Sequence, residues 1–475
     1  MESPSAITSL FSRLEEVLGK GRVLSDPTEL AAYCQNYQGT KKGSCQLVAR
    51  PSSTEQVAAV LSICHDRHIA VTPRGGNTGL VGGTVPNGGI VLDTTRLNRI
   101  REMDLLNATM TVEAGVILAD VQSAARQAGV FFPLSLGAEG SCRIGGNLAT
   151  NAGGTAVLRY GNMRQLTLGL EVVLPDGQIW NGLRSLHKDN TGYDLKNLFI
   201  GSEGTLGVIT AAVLKLFPMP VDWVTGLVAF TSIDTALSFF VTLRGYAGDA
   251  LSAFELMDGE SLALASHHGL HLVAPFDRQH PCYALVELSG YLGSQDVQSL
   301  LMKPLESGLE DGSLIDAVVA NSLQQAKNLW ALREGIVAGL AAEGLRFSYD
   351  ISIPISSISK FIPRAASRIA SVSSHIRTIS FGHVGDGNVH FVLLPAVDLA
   401  AEIFLSYKEK CDDCIFRTSH DFGGSFSAEH GVGTDKRDAM SRYKPSLEIA
   451  LMRQIKNSLD PLGIMNPGKV LPDEA

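Results

Sequence analysis

Two glycine-rich segments in the C-terminal half contain histidine and glutamate, which are residue types that can bind metal ions. The first reads His383-Val-Gly-Asp-Gly-Asn-Val-His390 and the second reads Ala428-Glu-His-Gly-Val-Gly433. Two imidazoles and one carboxylate can converge on a divalent cation and leave coordination positions open, as in a catalytic metal site. A single histidine on an apolar strand is more often a core residue, but three candidate ligands in two polar loops favour a metal site.

Glycines are also concentrated in the segment Pro73-Arg-Gly-Gly-Asn-Thr-Gly-Leu-Val-Gly-Gly83, which follows an apolar strand. Backbone N–H groups of consecutive glycines can converge on an anion such as a pyrophosphate. The spacing is neither that of a dinucleotide fingerprint nor that of a P-loop, and a simple glycine-rich turn is the alternative. We expect a bulky residue at Gly76 to occupy the place of the anion.

Further polar glycine loops follow in the sequence. Residues 133–154 contain Ile-Gly-Gly-Asn and Asn-Ala-Gly-Gly, residues 160–164 read Tyr-Gly-Asn-Met-Arg, and residues 201–207 read Gly-Ser-Glu-Gly-Thr-Leu-Gly. Each loop is bounded by apolar strands and offers backbone donors and acceptors. Together they predict a site for an extended ligand.

Arg333 lies in the pattern Leu329-Trp-Ala-Leu-Arg-Glu334, which is helical in character. A guanidinium can form a bidentate pair with a substrate carboxylate. The alternative is a solvated face of the helix, on which an arginine followed by a glutamate is common.

These glycine loops resemble the FAD-binding domain of the flavoenzyme family that includes vanillyl-alcohol oxidase, D-lactate dehydrogenase, D-2-hydroxyglutarate dehydrogenase and glycolate oxidase subunits. The resemblance covers residues 40–220 and implies a non-covalent flavin, because Asn77 stands where some relatives have a histidine that attaches FAD. The FAD contacts that it implies are Arg74, Gly75, Gly76, Asn77, Thr78, Gly79, Ser135, Gly137, Gly145, Gly146, Asn147, Asn151, Gly153, Gly154, Glu203 and Ile209.

The C-terminal half resembles the cap domain of D-2-hydroxyglutarate dehydrogenase and its relatives. This resemblance implies a divalent metal, zinc foremost and manganese, cobalt or iron as alternatives, held by His383, His390 and Glu429. It further implies His430 as the catalytic base and Asn388 and Arg333 as substrate contacts. The last motif, with Asn466 and Lys469, is expected to return to the flavin domain.

The reaction that the resemblance implies is oxidation of a D-2-hydroxy acid to the 2-oxo acid. A cation lowers the pKa of the substrate hydroxyl, a neutral imidazole takes its proton, and the hydride passes to flavin. Electron-transfer flavoprotein, a quinone or a cytochrome is the expected acceptor, and a homodimer is one expected assembly.

Two positions depart from the pattern of the hydroxyglutarate enzymes, which carry a threonine and a lysine where this chain has Val337 and Ser348. Because a buried second carboxylate needs a charged partner, D-lactate or another monocarboxylic D-2-hydroxy acid is an alternative substrate. Three further functions compete with a dehydrogenase: an oxidase that uses O₂, a non-redox metal-dependent hydrolase and a non-catalytic nucleotide-binding protein.

Composition excludes several classes of partner. The 475 residues carry a formal net charge of −9 without a basic run, which disfavours nucleic acid. No apolar stretch is long enough to predict a transmembrane helix. The seven cysteines are scattered and predict a reducing compartment, the cytoplasm, or the mitochondrion in a eukaryote.

The elements that must position these residues predict an α+β protein with three segments. Residues 1–220 are expected to form a two-subdomain FAD-binding domain of the vanillyl-alcohol oxidase type, ending at the Pro218–Pro220 turn. Residues 221–455 are expected to form an antiparallel-sheet cap covered on one side by helices, and residues 456–475 to return to the FAD domain. Predicted elements include helices Ser53–Arg67, Leu399–His420 and Ile449–Lys469 and strands Ile69–Pro73 and Thr109–Glu113.

Overall fold

The computed structural model describes residues 4–267, 275–293 and 295–473. Up to Pro218 the chain alternates short strands with helices. The strands are β1 (Val23–Leu24), β2 (Leu47–Ala49), β3 (Val71–Arg74), β4 (Ile90–Asp93), β5 (Ile100–Asp104), β6 (Thr109–Glu113), β7 (Val130–Phe131), β8 (Thr167–Val173), β9 (Ile179–Gly182), β10 (Val208–Lys215) and β11 (Phe217–Pro218). The helices are α1 (Pro4–Leu18), α2 (Pro27–Tyr33), α3 (Thr54–Asp66), α4 (Leu118–Gln127), α5 (Ile144–Ala149), α6 (Val157–Tyr160), α7 (Met163–Leu166) and α8 (Lys196–Phe199).

After Pro218 the strands become longer. They are β12 (Asp222–Phe230), β13 (Leu251–Asp258), β14 (Cys282–Gly290), β15 (Asp316–Val319), β16 (Phe347–Ser352), β17 (Ile376–Gly382) and β18 (Asn388–Pro395). The helices are α9 (Ile233–Ala247), α10 (Gly259–His267), α11 (Val297–Glu310), α12 (Leu323–Glu343), α13 (Ile358–Val372), α14 (Ala401–Ser406), α15 (Lys408–Asp421), α16 (Arg437–Tyr443) and α17 (Ser446–Leu459). None of the helices in the described ranges has the length and apolar character needed to cross a membrane.

The chain forms two compact units that are not contiguous in sequence. The first contains residues 1–153, 161–218 and 429–475, and the second contains residues 154–160 and 219–428. Residues 429–455, which the sequence analysis placed in the cap, therefore cluster with the first unit. The short segment 154–160 clusters with the second unit.

The first unit contains two main sheets. A four-stranded sheet has the order β1-β2-β4-β3, with β2 and β3 both parallel to β4. A five-stranded antiparallel sheet has the order β5-β6-β10-β8-β9. Leu14 of α1 and Leu61 of α3 pack with Leu92 of β4 in one buried apolar core. This division into two sheets agrees with the predicted two-subdomain domain.

The C-terminal segment of the first unit continues past its last helix. The predicted helix Ile449–Lys469 is wrong at its end, because α17 stops at Leu459 and Asp460 accepts hydrogen bonds from the backbone of Ile464 and Met465. The following residues lie beside β3, where the Val71 N–H donates to the Ile464 carbonyl at 2.8 Å. After the helix ends, the Asp460 carboxylate accepts the hydrogen bonds from the N–H groups of Ile464 and Met465, which in a longer helix would bond to backbone carbonyls.

The second unit is built on a seven-stranded antiparallel sheet with the order β15-β12-β14-β13-β17-β18-β16. Helices α9, α11, α13 and α15 pack with one set of strand residues, whereas α10 and α12 pack with the alternate set. The expectation of helices on one side only is therefore wrong. Central strands such as β14 are apolar on both faces, so both faces must be covered.

Helix α12 contains Arg333 and packs, together with α10, on one face of the sheet. It begins after Ser322, whose hydroxyl accepts a hydrogen bond from the Gln325 N–H as an N-cap. It ends at Gly344, whose positive φ of 85° is a backbone conformation that glycine adopts more readily than other residues. The residues at both ends thus define where the helix begins and ends.

Candidate active site

The two histidines are positioned by a tight turn between neighbouring strands. His383 follows β17, a single 3-10 turn covers Val384–Asp386, and His390 lies within β18. Gly387 completes the turn with φ 92°, and a Cβ atom there would lie 2.6 Å from the carbonyl oxygen of Ile353. The two imidazole centroids are consequently 5.5 Å apart.

Glu429 joins these histidines through the backbone that precedes it. The N–H of Ala428, the last residue of the second unit, donates to the Asp350 carbonyl at 3.3 Å. Asp350 in turn pairs with His390 across β16 and β18. One potential ligand atom from each of His383, His390 and Glu429 lies within 4.8 Å of the others. The structure therefore brings the predicted trio together.

Buried carboxylates face the Nδ1 atoms of both histidines. Glu255 Oε1 lies 2.6 Å from His383 Nδ1, and Asp350 Oδ1 lies 3.9 Å from His390 Nδ1. A carboxylate hydrogen-bonded to Nδ1, as Glu255 is to His383, favours the tautomer in which Nδ1 is protonated and Nε2 carries the lone pair. Two such imidazoles and a carboxylate form a donor set that fits a divalent cation of the zinc type.

The carboxyl of Glu255 is ionised in spite of its position. Its relative exposure is 1%. Burial alone would raise the pKa of this carboxyl, but the neighbouring His383 and Arg333 lower it to about 2. The group is therefore an anion that compensates positive charge within the second unit.

Arg333 does not lie on a solvated face of its helix. Its relative exposure is 6%, its Nε donates to Glu255 Oε2 at 2.9 Å, and its guanidinium carbon lies 4.9 Å from the centre of the Phe381 ring. The alternative of a solvated helix face is therefore wrong, and the predicted contact of Arg333 with a substrate carboxylate stays a prediction. Val337, one turn later on α12, is 57% exposed, and Ser348 on β16 is exposed as well.

Asn388 is buried at the start of β18, and the NH₂ group of its side-chain amide is hydrogen-bonded. Its Nδ2 donates to Asp350 Oδ1 at 2.9 Å and to the Ile351 carbonyl at 3.0 Å. Its Oδ1 has no hydrogen-bond partner among the residues that the structure describes. A buried amide oxygen is costly without a donor, so it is suited to accept one from a ligand.

The loop that carries His430 is anchored within the first unit by Glu203. The carboxylate accepts hydrogen bonds from the N–H groups of Val432 at 2.7 Å and Gly433 at 2.8 Å. Burial raises the pKa of Glu203 even though these donors lower it. The contacts that the structure gives Glu203 thus hold the loop after His430, and its predicted contact with FAD stays a prediction.

The first glycine loop is tied to the end of α2. The guanidinium of Arg74 donates to the carbonyls of Tyr33 at 2.6 Å and Ala32 at 3.0 Å. Asn77, with φ 54°, donates to the Gln35 carbonyl at 3.3 Å. These two side chains hold the loop in place, which leaves its backbone as the part available to a ligand.

Several predicted FAD residues have open space or unused acceptors. A Cβ atom on Gly79, Gly137 or Gly146 would have no atom of the described residues within 4 Å other than those of its chain neighbours and, for Gly146, the backbone of its own helix. Asn466 donates from Nδ2 to the Gly83 and Glu203 carbonyls, whereas its buried Oδ1 has no partner among the described residues. Open backbone and an unsatisfied buried acceptor in the first unit fit an extended polar cofactor such as FAD.

The remaining predicted FAD residues have mostly structural contacts. Ser135 donates to Glu139 Oε1 at 2.7 Å, and Asn151 accepts from the Arg164 N–H at 2.9 Å. Burial, with a smaller effect of Arg437, lowers the pKa of Lys469 to about 8. Asn147 donates to Cys142 Sγ, the Gly145 N–H donates to the Ala114 carbonyl, and Ile209 is buried in β10. The other predicted members are Gly75, Thr78, Gly153 and Gly154.

Comparison with known proteins assigns both parts of the chain. Residues 45–182 match the family described as "FAD binding domain", and residues 219–470 match "FAD linked oxidases, C-terminal domain". The chain is 40% identical over 462 residues to a protein of Rattus norvegicus named "D-2-hydroxyglutarate dehydrogenase, mitochondrial", covering 97% of this chain and 84% of that protein. The chain belongs to the FAD-linked oxidases.

Other relatives of this FAD-linked oxidase have related names. A D-2-hydroxyglutarate dehydrogenase of Xanthomonas citri pv. viticola is 36% identical and covers 96% of each chain. A protein of Schizosaccharomyces pombe named "Putative D-lactate dehydrogenase C713.03, mitochondrial" is 38% identical, covering 94% of this chain and 85% of that one. These relatives confirm the predicted family and the class of FAD-dependent dehydrogenase.

Solved structures show the same fold at low sequence identity. p-Cresol methylhydroxylase with bound substrate matches the FAD-linked oxidase with a TM-score of 0.79 at 16% identity, covering 99% of this chain and 98% of that one. A 4-ethylphenol oxidase from Gulosibacter chungangensis matches with a TM-score of 0.77 at 20% identity, over 99% and 98%. The predicted α+β fold class is confirmed.

Sequence reasoning missed the two carboxylates that face the histidines. In the FAD-linked oxidase, Glu255 lies within the apolar run Ala253-Phe-Glu-Leu-Met257, and Asp350 follows Tyr349 in β16. An acid inside a buried strand is unusual because an unpaired charge there is costly. That signal could have marked both positions, although not their partners.

Proposed function

We propose that this enzyme oxidises a D-2-hydroxy acid to the corresponding 2-oxo acid with a divalent metal and non-covalent FAD. The observation that carries the proposal is the convergence of ligand atoms from His383, His390 and Glu429 within 4.8 Å. The relatives named as dehydrogenases of D-2-hydroxyglutarate and D-lactate support the same class of substrate. A hydrolase would leave the FAD-binding domain unexplained.

The polar loops of the first unit would hold FAD, which supplies the acceptor for the hydride from C2 of the substrate. Gly79, Gly137 and Gly146 offer backbone beside open space, and Asn466 offers its unpaired Oδ1. Asn77 cannot form the histidyl bond to flavin, which is why we propose a non-covalent cofactor. Its Oδ1 instead accepts from the Thr84 hydroxyl at 2.6 Å.

A divalent cation, with zinc as the first choice and manganese, cobalt or iron as alternatives, would be held by His383, His390 and Glu429. Its chemistry would be that of a Lewis acid toward the hydroxyl and carboxylate oxygens of the substrate. Three protein ligands leave coordination positions for those oxygens. The carboxylate of Glu255 would orient the His383 imidazole from behind, and the carboxylate of Asp350 lies 3.9 Å from His390 Nδ1.

Three further side chains would bind the substrate and take its proton. Arg333 would bind the substrate carboxylate, since its planar guanidinium offers paired N–H donors and Nε alone is bound to Glu255. Asn388 would accept a hydrogen bond from the substrate through its unpaired Oδ1. His430 would take the proton of the C2 hydroxyl as a neutral imidazole.

Two positions that could contact the substrate beyond its C2 carbon, Val337 and Ser348, carry no positive charge. Val337 and Ser348, exposed on α12 and β16, offer a methyl-bearing side chain and a hydroxyl. D-2-Hydroxyglutarate is the first candidate because of the relatives, and D-lactate or another monocarboxylic acid is the second because of these residues. The comparison of the two acids therefore decides the substrate class.

Electron-transfer flavoprotein, a quinone or a cytochrome is the proposed acceptor, with a homodimer as the proposed assembly. We propose the cytoplasm as the location, or the mitochondrion if the source is a eukaryote, as for the mitochondrial relatives. All seven cysteines lie in the described ranges and none of them forms a disulfide there, which is consistent with a reducing compartment.

The test is a dye-reduction screen of the flavin-loaded protein with both enantiomers of lactate, 2-hydroxyglutarate and longer 2-hydroxy acids. We expect activity with a D-enantiomer that disappears with a chelator and returns with Zn²⁺, Mn²⁺ or Co²⁺. Preference for L-enantiomers, or full activity of protein shown to contain no metal, would overturn the proposal.

A further inference from the structure

We propose that Glu255 is a positioning residue that fixes a metal ligand and the substrate-binding arginine with one carboxylate. The inference rests on the proposed function, since it concerns the roles of His383 and Arg333. Glu255 touches neither substrate nor cation in this scheme. It determines instead which nitrogen His383 presents and where the Arg333 guanidinium lies.

Both oxygens of Glu255 are used. Oε1 lies 2.6 Å from His383 Nδ1, and Oε2 accepts from Arg333 Nε at 2.9 Å. The carboxylate lies in the middle of β13, opposite Leu285 of β14, with a relative exposure of 1%. Water therefore cannot substitute for either contact, and loss of one oxygen leaves a donor unpaired.

Arg333 is confined from a second direction by Phe381. The ring centre lies 4.9 Å from the guanidinium carbon, on β17, the strand that His383 follows. A guanidinium held by a carboxylate at Nε and by an aromatic face keeps its terminal N–H groups in one orientation. The distance between the carboxylate-binding group and the metal ligand is thus set by one side chain.

Only a carboxylate of this length satisfies both partners. A glutamine has one acceptor oxygen and an NH₂ group, so it can accept from His383 or from Arg333 but not from both. The other partner would then face a donor. In the tautomer that the carboxylate favours, His383 Nδ1 carries the proton and Nε2 carries the lone pair that would bind a cation.

The adjacent strand supplies a matched control in Glu287. Its carboxyl accepts from Trp330 Nε1 at 2.6 Å, from the Thr225 hydroxyl at 3.2 Å and from the Ser252 hydroxyl at 3.4 Å. These donors are neutral, and burial raises the pKa of Glu287. Because Trp330 lies on α12 near Arg333, Glu287→Gln disturbs the same helix and sheet without touching the proposed pair.

The experiment compares full-length, flavin-loaded wild type, Glu255→Gln, Glu255→Asp and Glu287→Gln. The first measurement is the Zn²⁺ dissociation constant, obtained by competition with a chromophoric chelator. The second is KM and kcat at saturating Zn²⁺ for D-lactate or D-2-hydroxyglutarate, whichever the wild type oxidises. Flavin content and the far-ultraviolet spectrum report folding.

We expect Glu255→Gln to raise the Zn²⁺ dissociation constant by roughly 10–100-fold, the usual cost of losing such an outer contact. KM is expected to rise as well, because the arginine loses its anchor. Glu255→Asp should be weaker than the wild type but better than Glu255→Gln, since it keeps the charge and two acceptors. A space-filling role predicts the reverse order, because glutamine has the size of glutamate. Glu287→Gln should match the wild type.

Wild-type Zn²⁺ affinity in folded Glu255→Gln would overturn the inference, and so would a better result for glutamine than for aspartate. If Glu255→Gln does not fold, Glu255→Asp is compared with Glu287→Asp, and equal Zn²⁺ affinities would overturn it. Failure of the proposed function is seen separately. In that case the wild type itself oxidises no D-2-hydroxy acid, or its Zn²⁺ affinity does not depend on His383.

Discussion

A Cβ atom on Gly76 would lie 2.3 Å from the carbonyl oxygen of Ser141. The first glycine loop thus packs directly on the backbone of the second, and the side chain expected from the sequence to enter the anion site would first meet protein. Gly76→Val should therefore separate the two loops and release flavin. The expected result is protein with less than a tenth of the wild-type ratio of flavin absorbance to protein, a loss of over about 1.4 kcal/mol in binding.

The matched control for this substitution is Gly140→Ala. Gly140 belongs to the same glycine-rich stretch as Ser141, and a Cβ atom there would meet no atom of the described part of the chain within 4 Å apart from those of its two chain neighbours. Flavin content should stay at the wild-type level. Retention of flavin by Gly76→Val would show that the loops separate without cost.

Acid or heat treatment of the purified protein should release intact FAD into the supernatant. The loop position that forms a histidyl bond in some relatives holds Asn77, whose amide is hydrogen-bonded to Gln35 and Thr84. Chromatography of the supernatant identifies the flavin. Yellow colour that stays with the precipitated chain would contradict the prediction.

Removal of metal should abolish turnover without removing flavin. His383→Ala, His390→Ala and chelator treatment are each expected to stop substrate oxidation, because two of the three ligands lie in the second unit and the FAD loops in the first. Metal analysis and the flavin spectrum are measured on the same samples. Normal turnover by a variant that holds no metal is the result that contradicts a catalytic ion.

His430 and Glu429 are neighbours with separable roles. His430→Ala should keep metal and flavin but slow flavin reduction by roughly 10²–10⁴-fold, the usual contribution of a positioned base. Glu429→Ala should lose metal instead. Rapid-mixing reduction with a D-2-hydroxy acid measures the rate, and a C2-deuterated substrate should slow the wild type because that bond breaks. A normal rate in His430→Ala would assign the proton to another group.

The free energy of unfolding should depend on pH through Glu255. Its pKa is lowered from 4.5 to about 2 in the folded protein, so its ion pairs stabilise the fold above pH 4.5 and lose that effect as the pH falls toward 2. The shift corresponds to about 3 kcal/mol. Urea unfolding of metal-free wild type and Glu255→Gln should give a difference that shrinks between pH 5 and pH 3. A difference constant with pH would show that the carboxyl titrates normally.

Local patterns predicted the elements whose ends are encoded in single residues. Strand Thr109–Glu113 has the predicted bounds, and helix α3 starts directly after Ser53, whose hydroxyl caps it. The predicted helix Leu399–His420 is instead divided into Ala401–Ser406 and Lys408–Asp421. Apolar periodicity passes through such a break, because both helices bury one face against the same core.

The site was predictable where residues of one motif supply it and not where distant strands do. His383 and His390 could be paired because one turn connects them. Glu255 reaches His383 only because β13 and β17 are neighbours in the sheet, although the two residues are far apart in sequence. Neither the periodicity nor the spacing of the sequence predicts the order of strands in a sheet. The contact of Glu255 with His383 could therefore be recognised only from the structure.

Residues that follow α17 complete the hydrogen bonding of Val71 in β3, since its N–H donates to the Ile464 carbonyl and its carbonyl accepts from the Asn466 N–H. During synthesis, β3 therefore gains these two hydrogen bonds only after residues 219–428 of the second unit have been made. The second unit, whose long segment 219–428 is continuous, can acquire its sheet while the first is still incomplete. A nascent chain halted at residue 428 holds the predicted FAD loops up to residue 207 and both histidines, yet lacks Glu429, His430 and the residues that bond to β3, so we expect it to bind flavin less tightly than the full chain.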